Sequence, residues 1–584
     1  MDISKSDPFT LFKTELNAEQ LSVKVNAIRR LPIVIHSMEG VKNLKSDILK
    51  FLADYVEKSD DDEVLYGLSI SLGECAEFFR QDMLPLLEKL LSAEETVVRN
   101  NAVFAFVKLV EQLTREEIKS IIVPFVVKLA SSDKFSQKMS ALNLIGEIYP
   151  LVAAEDQPAL LERVNSMFTE ESLILRRNLA SKIGVICKYV PKETVMLDFF
   201  NQFKTLALDD SDSVRILCLE SLVELCKIFN DEENKAHIIP IVITLTGDKS
   251  WRVRYHLAEN FAELARALGK DIAVTSLISI FSTLLKDLEN EVRIAAINSL
   301  KDFVSILTLE KLPSVLAYLQ TMSKDSVALV RVGVCEVLQG IFEMNLETLS
   351  KDVIKSRMQP IIQDLVNDID PEVKIAALRL LKPWAKHVGL TVLDLITSGA
   401  LEMTMTSTNW RIRCAELECL MELAKEYNNL KVFDKSFKKF FLIGINDKAY
   451  KVRQTAVSFI TKFNTFMDDE YIKSSILPPI LENLNNQTLF YTYKISALYA
   501  LEALFYTVKS SDLRKNVIFK QLIQFSESKF DNLRLVALKV LIKIYKSKVM
   551  PDINSAIDKH IKENMVGDED SEVKIVVERY IKGV

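Results

Sequence analysis

Apolar residues recur along most of the chain at intervals of three or four, which is the spacing of one face of an α-helix. One such apolar stripe covers residues 238–245. A second stripe follows after a short polar turn, at Leu257, Phe261, Leu264, Ala265 and Leu268. Two amphipathic segments this close together predict a pair of antiparallel helices packed as a hairpin.

The hairpin pattern repeats. Three copies of a short signature, an acidic turn followed by an aliphatic residue and an arginine, end at Arg215, Arg254 and Arg293, which are 39 residues apart. The same spacing places equivalent residues, here called anchors, along the whole chain. The anchors are Lys24, Leu65, Arg99, Lys138, Arg176, Arg215, Arg254, Arg293, Arg331, Lys374, Arg413, Arg453, Lys494, Arg534 and Lys574.

Fifteen helical hairpins with a mean period of about 39 residues are typical of HEAT repeats. The predicted fold is therefore all-α, a right-handed α-α superhelix in which only neighbouring hairpins touch. A solenoid of this kind offers a long ridge rather than an enclosed pocket, so the architecture favours protein binding.

Two residue types recur in phase with the anchors. An Asp lies six residues before seven of them, and it is expected to accept hydrogen bonds from the first amides of the next helix and to pair with a basic residue on the following unit. A proline recurs about fourteen residues before the anchor, which predicts a kink in each such first helix. The aspartates are Asp209, Asp248, Asp287, Asp325, Asp368, Asp447 and Asp568, and the prolines are Pro85, Pro124, Pro240, Pro360 and Pro479.

Composition narrows the function classes. The 584 residues include only 14 Gly and 15 Pro, which is unlike a β-rich protein, and 49% are hydrophobic. A net charge of -6 gives no global attraction to nucleic acid, and the N-terminus lacks a signal-peptide pattern, so we expect a cytosolic or nuclear protein without membrane insertion. Seven cysteines with no CxxC pair indicate buried reduced thiols.

No motif for catalysis is visible. The five histidines, which are His36, His237, His256, His387 and His560, lack metal-ligand spacing, and the standard phosphate loops and nucleophile elbows are missing. The acidic run 60–63 falls where the repeat predicts a solvated turn, so we assign it to the turn rather than to a cation site. The sequence predicts no enzyme, no cofactor and no metal.

The tryptophans are more informative. Trp251 and Trp410 both lie three residues before an anchor, next to arginines, in a turn that should be exposed. Tryptophan and arginine on an accessible ridge dominate interface energies, so we expect interface anchors here. Trp384 lies at the end of an apolar stripe and is expected in the core.

Several stretches together resemble the scaffold, or A-type structural regulatory, subunits of protein phosphatase 2A. Residues 248–255, in the seventh unit, read Asp-Lys-Ser-Trp-Arg-Val-Arg-Tyr. Other similar stretches lie in their proper units at 94–99, 176–182, 210–215 and 409–413. The resemblance covers essentially the whole chain, and ordered copies at matching unit numbers are far more specific than one HEAT motif.

The resemblance implies a non-catalytic scaffold in a heterotrimer. It implies that 8–308 (repeats 1–8) binds a variable regulatory B-type subunit, that 309–388 (repeats 9–10) is a flexible connection, and that 389–584 (repeats 11–15) binds the phosphatase catalytic subunit. The implied catalytic-subunit contacts are Trp410, Arg411, Arg413, Tyr450, Lys494, Asn532, Arg534 and Lys574. The implied regulatory-subunit contacts are Arg176, Arg177, Trp251, Arg252 and Tyr255.

The chain departs from the family pattern in three places. Lys494 stands where arginine is common, which keeps the charge but loses the bidentate fork. Lys134 replaces a frequent turn tryptophan, and unit five reads Glu-Ser-Leu-Ile from Glu171 where an Asp-Thr-Pro-Met-like sequence is usual. The last two departures fall on the regulatory half.

Two other function classes stay open at this stage. A HEAT-type nuclear transport receptor or other adaptor would share the architecture, although no ladder of spaced Trp and Asn residues accompanies the three tryptophans. An enzyme would need a clustered polar site, which the pattern does not show. Binding to a small nuclear GTPase would distinguish the first class, and hydrolysis by the isolated chain would distinguish the second.

Overall fold

A computed structural model describes residues 7–38, 40–59, 61–344, 351–389, 406–463 and 467–583. These residues form α-helices and shorter helical turns, with no β-strand among them. They group into two compact units, Met1–Leu307 and Thr308–Val584, and each unit is a stack of helical hairpins. The predicted all-α HEAT-type solenoid is confirmed. Asp60 and residues 390–405, part of the predicted eleventh repeat, lie outside the described residues.

The α-helices are numbered here in chain order. In the first unit they are α1 Pro8–Leu16, α2 Leu21–Arg29, α3 Leu31–Ser37, α4 Leu44–Lys58, α5 Asp62–Glu74, α6 Ala76–Phe79, α7 Leu84–Leu90, α8 Thr96–Val110, α9 Arg115–Glu117, α10 Val123–Ala130, α11 Phe135–Ile148, α12 Gln157–Met167, α13 Leu173–Cys187, α14 Lys192–Thr194, α15 Phe200–Ala207, α16 Asp212–Ile228, α17 Asp231–Glu233, α18 Ile239–Thr246, α19 Trp251–Leu268, α20 Lys270–Ile272, α21 Ile278–Leu284 and α22 Asn290–Ile306.

In the second unit they are α23 Leu312–Met322, α24 Ala328–Glu343, α25 Lys351–Val366, α26 Pro371–Val388, α27 Trp410–Tyr427, α28 Leu430–Val432, α29 Lys438–Ile445, α30 Tyr450–Ser458, α31 Asp469–Tyr471, α32 Leu477–Asn485, α33 Tyr491–Thr507, α34 Lys520–Ser526, α35 Asp531–Ser547, α36 Pro551–His560 and α37 Ser571–Ile581.

Every anchor lies near the start of a helix. In all fifteen described copies the second helix of the hairpin begins three residues before the anchor, from Leu21 before Lys24 to Ser571 before Lys574. Trp251 and Trp410, expected in the turn, are therefore the first residues of α19 and α27. Within each unit successive second helices pack on one another, as α13 does on α16 and α16 on α19. The apolar faces of these helices form the continuous core that the stripes predict.

The anchor arginine and the turn aspartate form a ladder between hairpins. Arg215 donates from Nε and Nη2 to the two carboxylate oxygens of Asp248 at 2.7 Å each, and its Nη1 donates to the carbonyl of Asp209 in its own turn at 2.6 Å. Both side chains are buried. The hydrogen bond to Asp248 raises the pKa of Arg215. The other pairs of this kind are Arg176–Asp209, Arg254–Asp287, Arg331–Asp368, Arg413–Asp447 and Arg534–Asp568.

The expected direction of this pairing was wrong. In all six of these pairs the Asp bonds the anchor of the preceding unit, because its turn lies beside the first turn of the preceding second helix. The expected amide donor was also wrong by one residue. Asp248 Oδ1 accepts a hydrogen bond at 2.8 Å from the backbone N–H of Ser250, which is the N-cap residue of α19, and not from the first residue of that helix. Arg254, the anchor of the same unit as Asp248, donates instead to the backbone carbonyl of Asp248.

Most first helices are interrupted, although proline explains only part of this. Pro85, Pro124 and Pro240 are each the second residue of a restarted helix, where a missing amide costs nothing. Pro360, in contrast, lies inside helix α25, which continues through it without a restart. A π-helical turn also interrupts first helices that lack a phased proline, as at Val195–Phe199 and Ala273–Leu277. The interruption thus belongs to the repeat and not to proline alone.

Burial agrees with two further expectations. Trp384 is 1% exposed, as predicted for a core residue. All seven cysteines are described, buried and free, and burial raises the pKa of the Cys187 thiol to about 12. Among the described helices, none combines the length and apolar character needed to cross a membrane.

Glu422 of α27 joins three consecutive hairpins of the second unit. It accepts hydrogen bonds from Lys382 Nζ of α26 at 2.8 Å and from Lys462 Nζ at 2.9 Å, in the repeat that follows. The bond from Lys382, helped by the one from Lys462, lowers the pKa of Glu422 to about 2. The carboxylate therefore stays ionised and bridges hairpins that do not follow each other directly.

This bridge predicts an acid-sensitive contribution to stability. Glu422→Gln should lower the denaturant midpoint at neutral pH, because glutamine keeps the size and removes the charge. The folded pKa of about 2 lies below the ordinary value of 4.5, so the contribution is complete above 4.5 and is lost as the pH falls through about 2. Denaturation of both proteins at about pH 6 and about pH 3 should show a smaller difference at the lower pH. Glu418→Gln, on the same cavity wall, is the control, and an unchanged difference would contradict the assignment.

Candidate protein-binding surface

Large apolar side chains are exposed at the starts of the second helices. The first turn of each second helix faces the solvent, next to the loop that joins the two helices of the hairpin. The residues three and two positions before the anchor therefore cannot pack into the core. We call the exposed side chains at these positions the helix-start ridge of each unit. In the first unit they include Leu21, Val97, Phe135, Leu173, Ile174, Trp251 and Arg252, and in the second unit they include Leu329, Trp410, Arg411, Tyr450, Tyr491 and Asn532.

Trp251 is the centre of an aromatic and charged cluster in the first unit. Its side chain is 43% exposed, and Tyr255 packs edge-on against it with ring centroids 6.3 Å apart. Arg252 is exposed, with Nη1 3.7 Å from Asp212 Oδ2 of the preceding repeat. The predicted residues Trp251, Arg252 and Tyr255 are thus brought together on one turn of α19.

The other two predicted regulatory contacts differ from each other. Arg176 is tied to Asp209 at 2.7 Å and to the carbonyl of Glu171 at 2.5 Å, so it holds two hairpins together. Arg177 is exposed and forms no ion pair with a described residue. Of the two, Arg177 is the one that is free to meet a partner.

Trp410 lies on the wall of an open cavity of about 980 Å³ in the second unit. The indole is 44% exposed, and Leu442 and Ile443 of α29 line the same cavity. Lys448, in the turn before α30, also lines it. An exposed indole beside aliphatic side chains and a lysine is suited to an apolar partner group with a nearby carboxylate.

Arg411 and Arg413 are held in different ways. Arg411 is exposed, and its Nη1 and Nη2 donate to the two carboxylate oxygens of Glu372 at 2.5 and 3.2 Å. Arg413 is buried, and its Nε and Nη2 donate to Asp447 at 2.7 and 2.8 Å. Solvent screens the first pair and not the second, so Arg411 exchanges partners more readily than Arg413.

Arg453 shows what happens where the next turn lacks an aspartate. Its guanidinium is buried and stacks on the rings of Tyr493 at 4.6 Å and Tyr450 at 5.8 Å. Nε donates to Ser496 Oγ at 2.9 Å, and burial lowers the pKa of this arginine. The ring of Tyr450 is 49% exposed and lines a different cavity from Trp410.

The remaining predicted residues lie nearer the end of the second unit. Arg534 is paired with Asp568, with both bonds 2.8 Å long, whereas the Asn532 side chain is exposed and bonds no described residue. Lys494 is half-buried and forms no ion pair with a described residue. Lys574 is exposed, and its Nζ donates to the carbonyl of Glu569 at 3.4 Å.

Sequence reasoning missed part of the ridge. Val97, Phe135, Leu173, Ile174 and Leu329 are between 43% and 61% exposed, at the same offsets from their anchors as the tryptophan–arginine pairs. Their position relative to the anchor was the available signal, but only the tryptophan–arginine pairs at that offset were singled out.

Three curated proteins similar to this chain are all named as regulatory or scaffold subunits of protein phosphatase 2A. The A-type regulatory subunit of protein phosphatase PP2A from Schizosaccharomyces pombe is 28% identical over 275 residues, 45% of this chain and 46% of the relative. The beta isoform of the human A-type 65 kDa regulatory subunit of serine/threonine-protein phosphatase 2A is 27% identical over 378 residues, 63% of this chain and 62% of the relative. The "Protein phosphatase 2A scaffold subunit" of Dictyostelium discoideum is 26% identical over 48% of each chain. The resemblance to the phosphatase 2A scaffold subunits is confirmed.

Comparisons with a family model and with solved structures bear on the fold of the chain. The chain spans about half the length of the curated relatives it matches. A family described as "PIK3R4-like, middle domain" matches residues 189–324. The karyopherin Kap121p bound to the SUMO protease Ulp1p superposes with a TM-score of 0.62 at 17% identity, over 95% of this chain and 58% of that chain. At this identity the likeness shows a shared helical-repeat fold.

Proposed function

We propose that this chain is the non-catalytic scaffold of a protein phosphatase 2A-type serine/threonine phosphatase. The observation that carries the proposal is the consistent naming of its relatives in yeasts, animals and a slime mould as regulatory or scaffold subunits of that enzyme. The helix-start ridge supports it, since Trp251 and Trp410 offer exposed aromatic anchors of the kind that dominate protein interfaces.

The exposed residues divide between two partners in this proposal. The catalytic subunit binds at repeats 11–15, through Trp410, Arg411, Tyr450, Lys494, Asn532 and Lys574. A regulatory B-type subunit binds at repeats 1–8, through Arg177, Trp251, Arg252 and Tyr255. The ladder arginines Arg176, Arg413 and Arg534 act mainly by fixing the geometry of neighbouring hairpins, because their guanidinium groups are committed to aspartates of the same chain.

The function of such a scaffold follows from holding two proteins at once. When both partners are bound to one chain, the encounter between phosphatase and the substrate held by the regulatory subunit becomes intramolecular. The effective concentration then depends on the separation that the repeats impose, and not on the concentrations in solution.

A pair of matched double variants tests this division. Trp410→Ala/Arg411→Ala should lower the affinity for purified catalytic subunit by at least about thirtyfold, because an interface anchor is removed. Trp251→Ala/Arg252→Ala changes the same two residue types in the first unit and should keep that affinity while weakening regulatory-subunit binding. Glu372→Ala breaks the ion pair but keeps the Arg411 side chain. It therefore distinguishes the effect of losing the ion pair from the effect of losing the contact between Arg411 and the catalytic subunit.

Copurification from native cells decides the class of partner. The wild-type chain should recover a serine/threonine phosphatase, and Trp410→Ala/Arg411→Ala should not. A wild-type chain that recovers transport GTPases and no phosphatase would replace the scaffold proposal with the adaptor class.

A further inference from the structure

A groove of about 870 Å³ crosses three consecutive second helices of the first unit, α8, α11 and α13. Its polar lining includes one asparagine from each helix, namely Asn100, Asn143 and Asn178. We call it the asparagine groove. Apolar side chains of the same three helices also line it, including Val103, Met139 and Ile174. Each helix thus contributes a carboxamide and an apolar group to the groove.

The three carboxamides have no partner in the part of the chain that the structure describes. None of them makes a side-chain hydrogen bond there, and the Oδ1 atoms of Asn143 and Asn178 are also shielded from water. A shielded polar atom without a partner is unfavourable, and a ligand that supplies a donor would remove that cost. The terminal torsion of asparagine is broad, so a small rotation turns each amide towards the groove.

The usual spacing of packed helices suits an extended peptide backbone that crosses them. Adjacent packed helices lie about 8–10 Å apart, and an extended chain advances about 3.3 Å per residue, so successive helices meet about every third residue. A carboxamide both donates and accepts, which matches the N–H and C=O of one peptide unit. A segment of about nine residues would cross all three helices and bury alternate side chains among the aliphatic groups.

Charges at the two sides of the groove define the ends of such a peptide. Arg177 and Lys182 of α13 line one side. Glu94, in the turn before α8, and Glu147 of α11 line the other side, together with Arg99 of α8, whose Nη1 donates to the carbonyls of Ala93 and Glu94 at 2.6 Å. Arg177, Lys182, Glu94 and Glu147 form no ion pair within the described part of the chain. The groove is therefore complementary to a segment with an acidic residue at one end and a basic residue at the other.

We propose that the asparagine groove binds an extended segment of a partner protein, through backbone hydrogen bonds to Asn143 and Asn178. The acidic end of the segment lies over α13, and its basic end lies over α8 and α11. This binding site shares Ile174 with the helix-start ridge and Arg177 with the proposed regulatory-subunit contacts. The proposal nevertheless does not rest on the scaffold function.

Selection from a displayed library of random peptides of about nine residues, with the full chain as bait, tests the proposal. The expected peptides carry opposite charges at their ends and bind Asn143→Ala/Asn178→Ala at least about tenfold more weakly than the wild type. Asn101→Ala is the matched control, because this half-buried asparagine of α8 already donates to the carbonyl of Val97 at 2.9 Å. Circular dichroism of each variant shows whether the helices are intact.

A charge reversal separates binding from a general structural effect. Arg177→Glu/Lys182→Glu should shift the selected peptides from an acidic to a basic residue at the end over α13. Peptides that bind all variants equally, that bind as helices, or that cannot be selected at all would overturn the proposal, as would a second copy of this chain covering the groove. A wild-type chain that recovers phosphatase but selects no groove-dependent peptide would overturn this proposal alone.

Discussion

Asp248→Ala is expected to destabilise the joint between α16 and α19 by about 3–5 kcal/mol, because it leaves a buried guanidinium without its carboxylate. Arg215 and Asp248 are both almost fully buried, and two hydrogen bonds of 2.7 Å join them. The variant also removes the acceptor of the Ser250 amide, at 2.8 Å, in the turn that starts α19.

Local hydrogen–deuterium exchange is the appropriate measurement. Since a repeat contacts only its neighbours, the change should be concentrated in peptides from α16 and α19 and fade within about one repeat on either side. Lys128→Ala removes an exposed pair with Glu88 that also joins two repeats, and it should cost no more than about 1 kcal/mol.

A double replacement gives the decisive comparison. Arg215→Met/Asp248→Leu removes both charges and should recover most of the lost stability, since the cost lies in the unpaired buried charge. If Asp248→Ala leaves exchange in α16 and α19 unchanged, the pair does not hold the two hairpins together.

The second large effect is expected for Gly184→Ala, where two second helices lie so close that a Cβ would meet the backbone of the other helix. A Cβ at position 184 of α13 would lie 2.6 Å from Ser221 Cα and 2.8 Å from the Ser221 carbonyl oxygen, both in the backbone of α16. The amide of Gly184 also donates to Ser221 Oγ at 3.0 Å. Overpacking against a backbone that cannot yield should cost about 1–3 kcal/mol, more than alanine gains in helix propensity.

Gly444→Ala is the matched control for this substitution. Its Cβ would lie 2.6 Å from Leu417 Cδ2, the flexible end of a side chain that can change rotamer. We expect a change of less than about 1 kcal/mol at this site, because helix propensity offsets part of the repacking. Thermal unfolding of both variants and of the wild type measures the loss of stability in each case. Equal losses would show that the close approach to the Ser221 backbone does not determine the cost of the substitution.

The fold could be predicted from the sequence because an equivalent residue recurs at the same structural position in each repeat. The anchor has a fixed place in the first turn of each second helix, so finding Arg215, Arg254 and Arg293 at equal spacing located three helix starts. The direction of the Arg–Asp pairs could not be predicted in the same way. Spacing along the chain says that Asp248 is near an anchor, but it does not say whether Arg215 or Arg254 reaches its carboxylate.

The candidate sites were predictable to different degrees. Trp251 and Trp410 were identified because each lies beside an arginine, three residues before an anchor, where the repeat predicts an exposed turn. The asparagine groove left no periodic signal, since Asn100, Asn143 and Asn178 lie one, five and two residues after their anchors. Their juxtaposition depends on the rotation of each helix about its axis, which packing sets.

The ladder also orders events during synthesis. Arg215 is made 33 residues before Asp248, a delay of about 2–7 s at ribosomal speeds of about 5–20 residues per second. During that delay its guanidinium can already bind the carbonyl of Asp209 in its own turn, but its carboxylate partner does not yet exist. The joints that follow, Arg215–Asp248 and Arg254–Asp287, therefore close one after another from the N-terminal side, each waiting for the next hairpin to leave the ribosome.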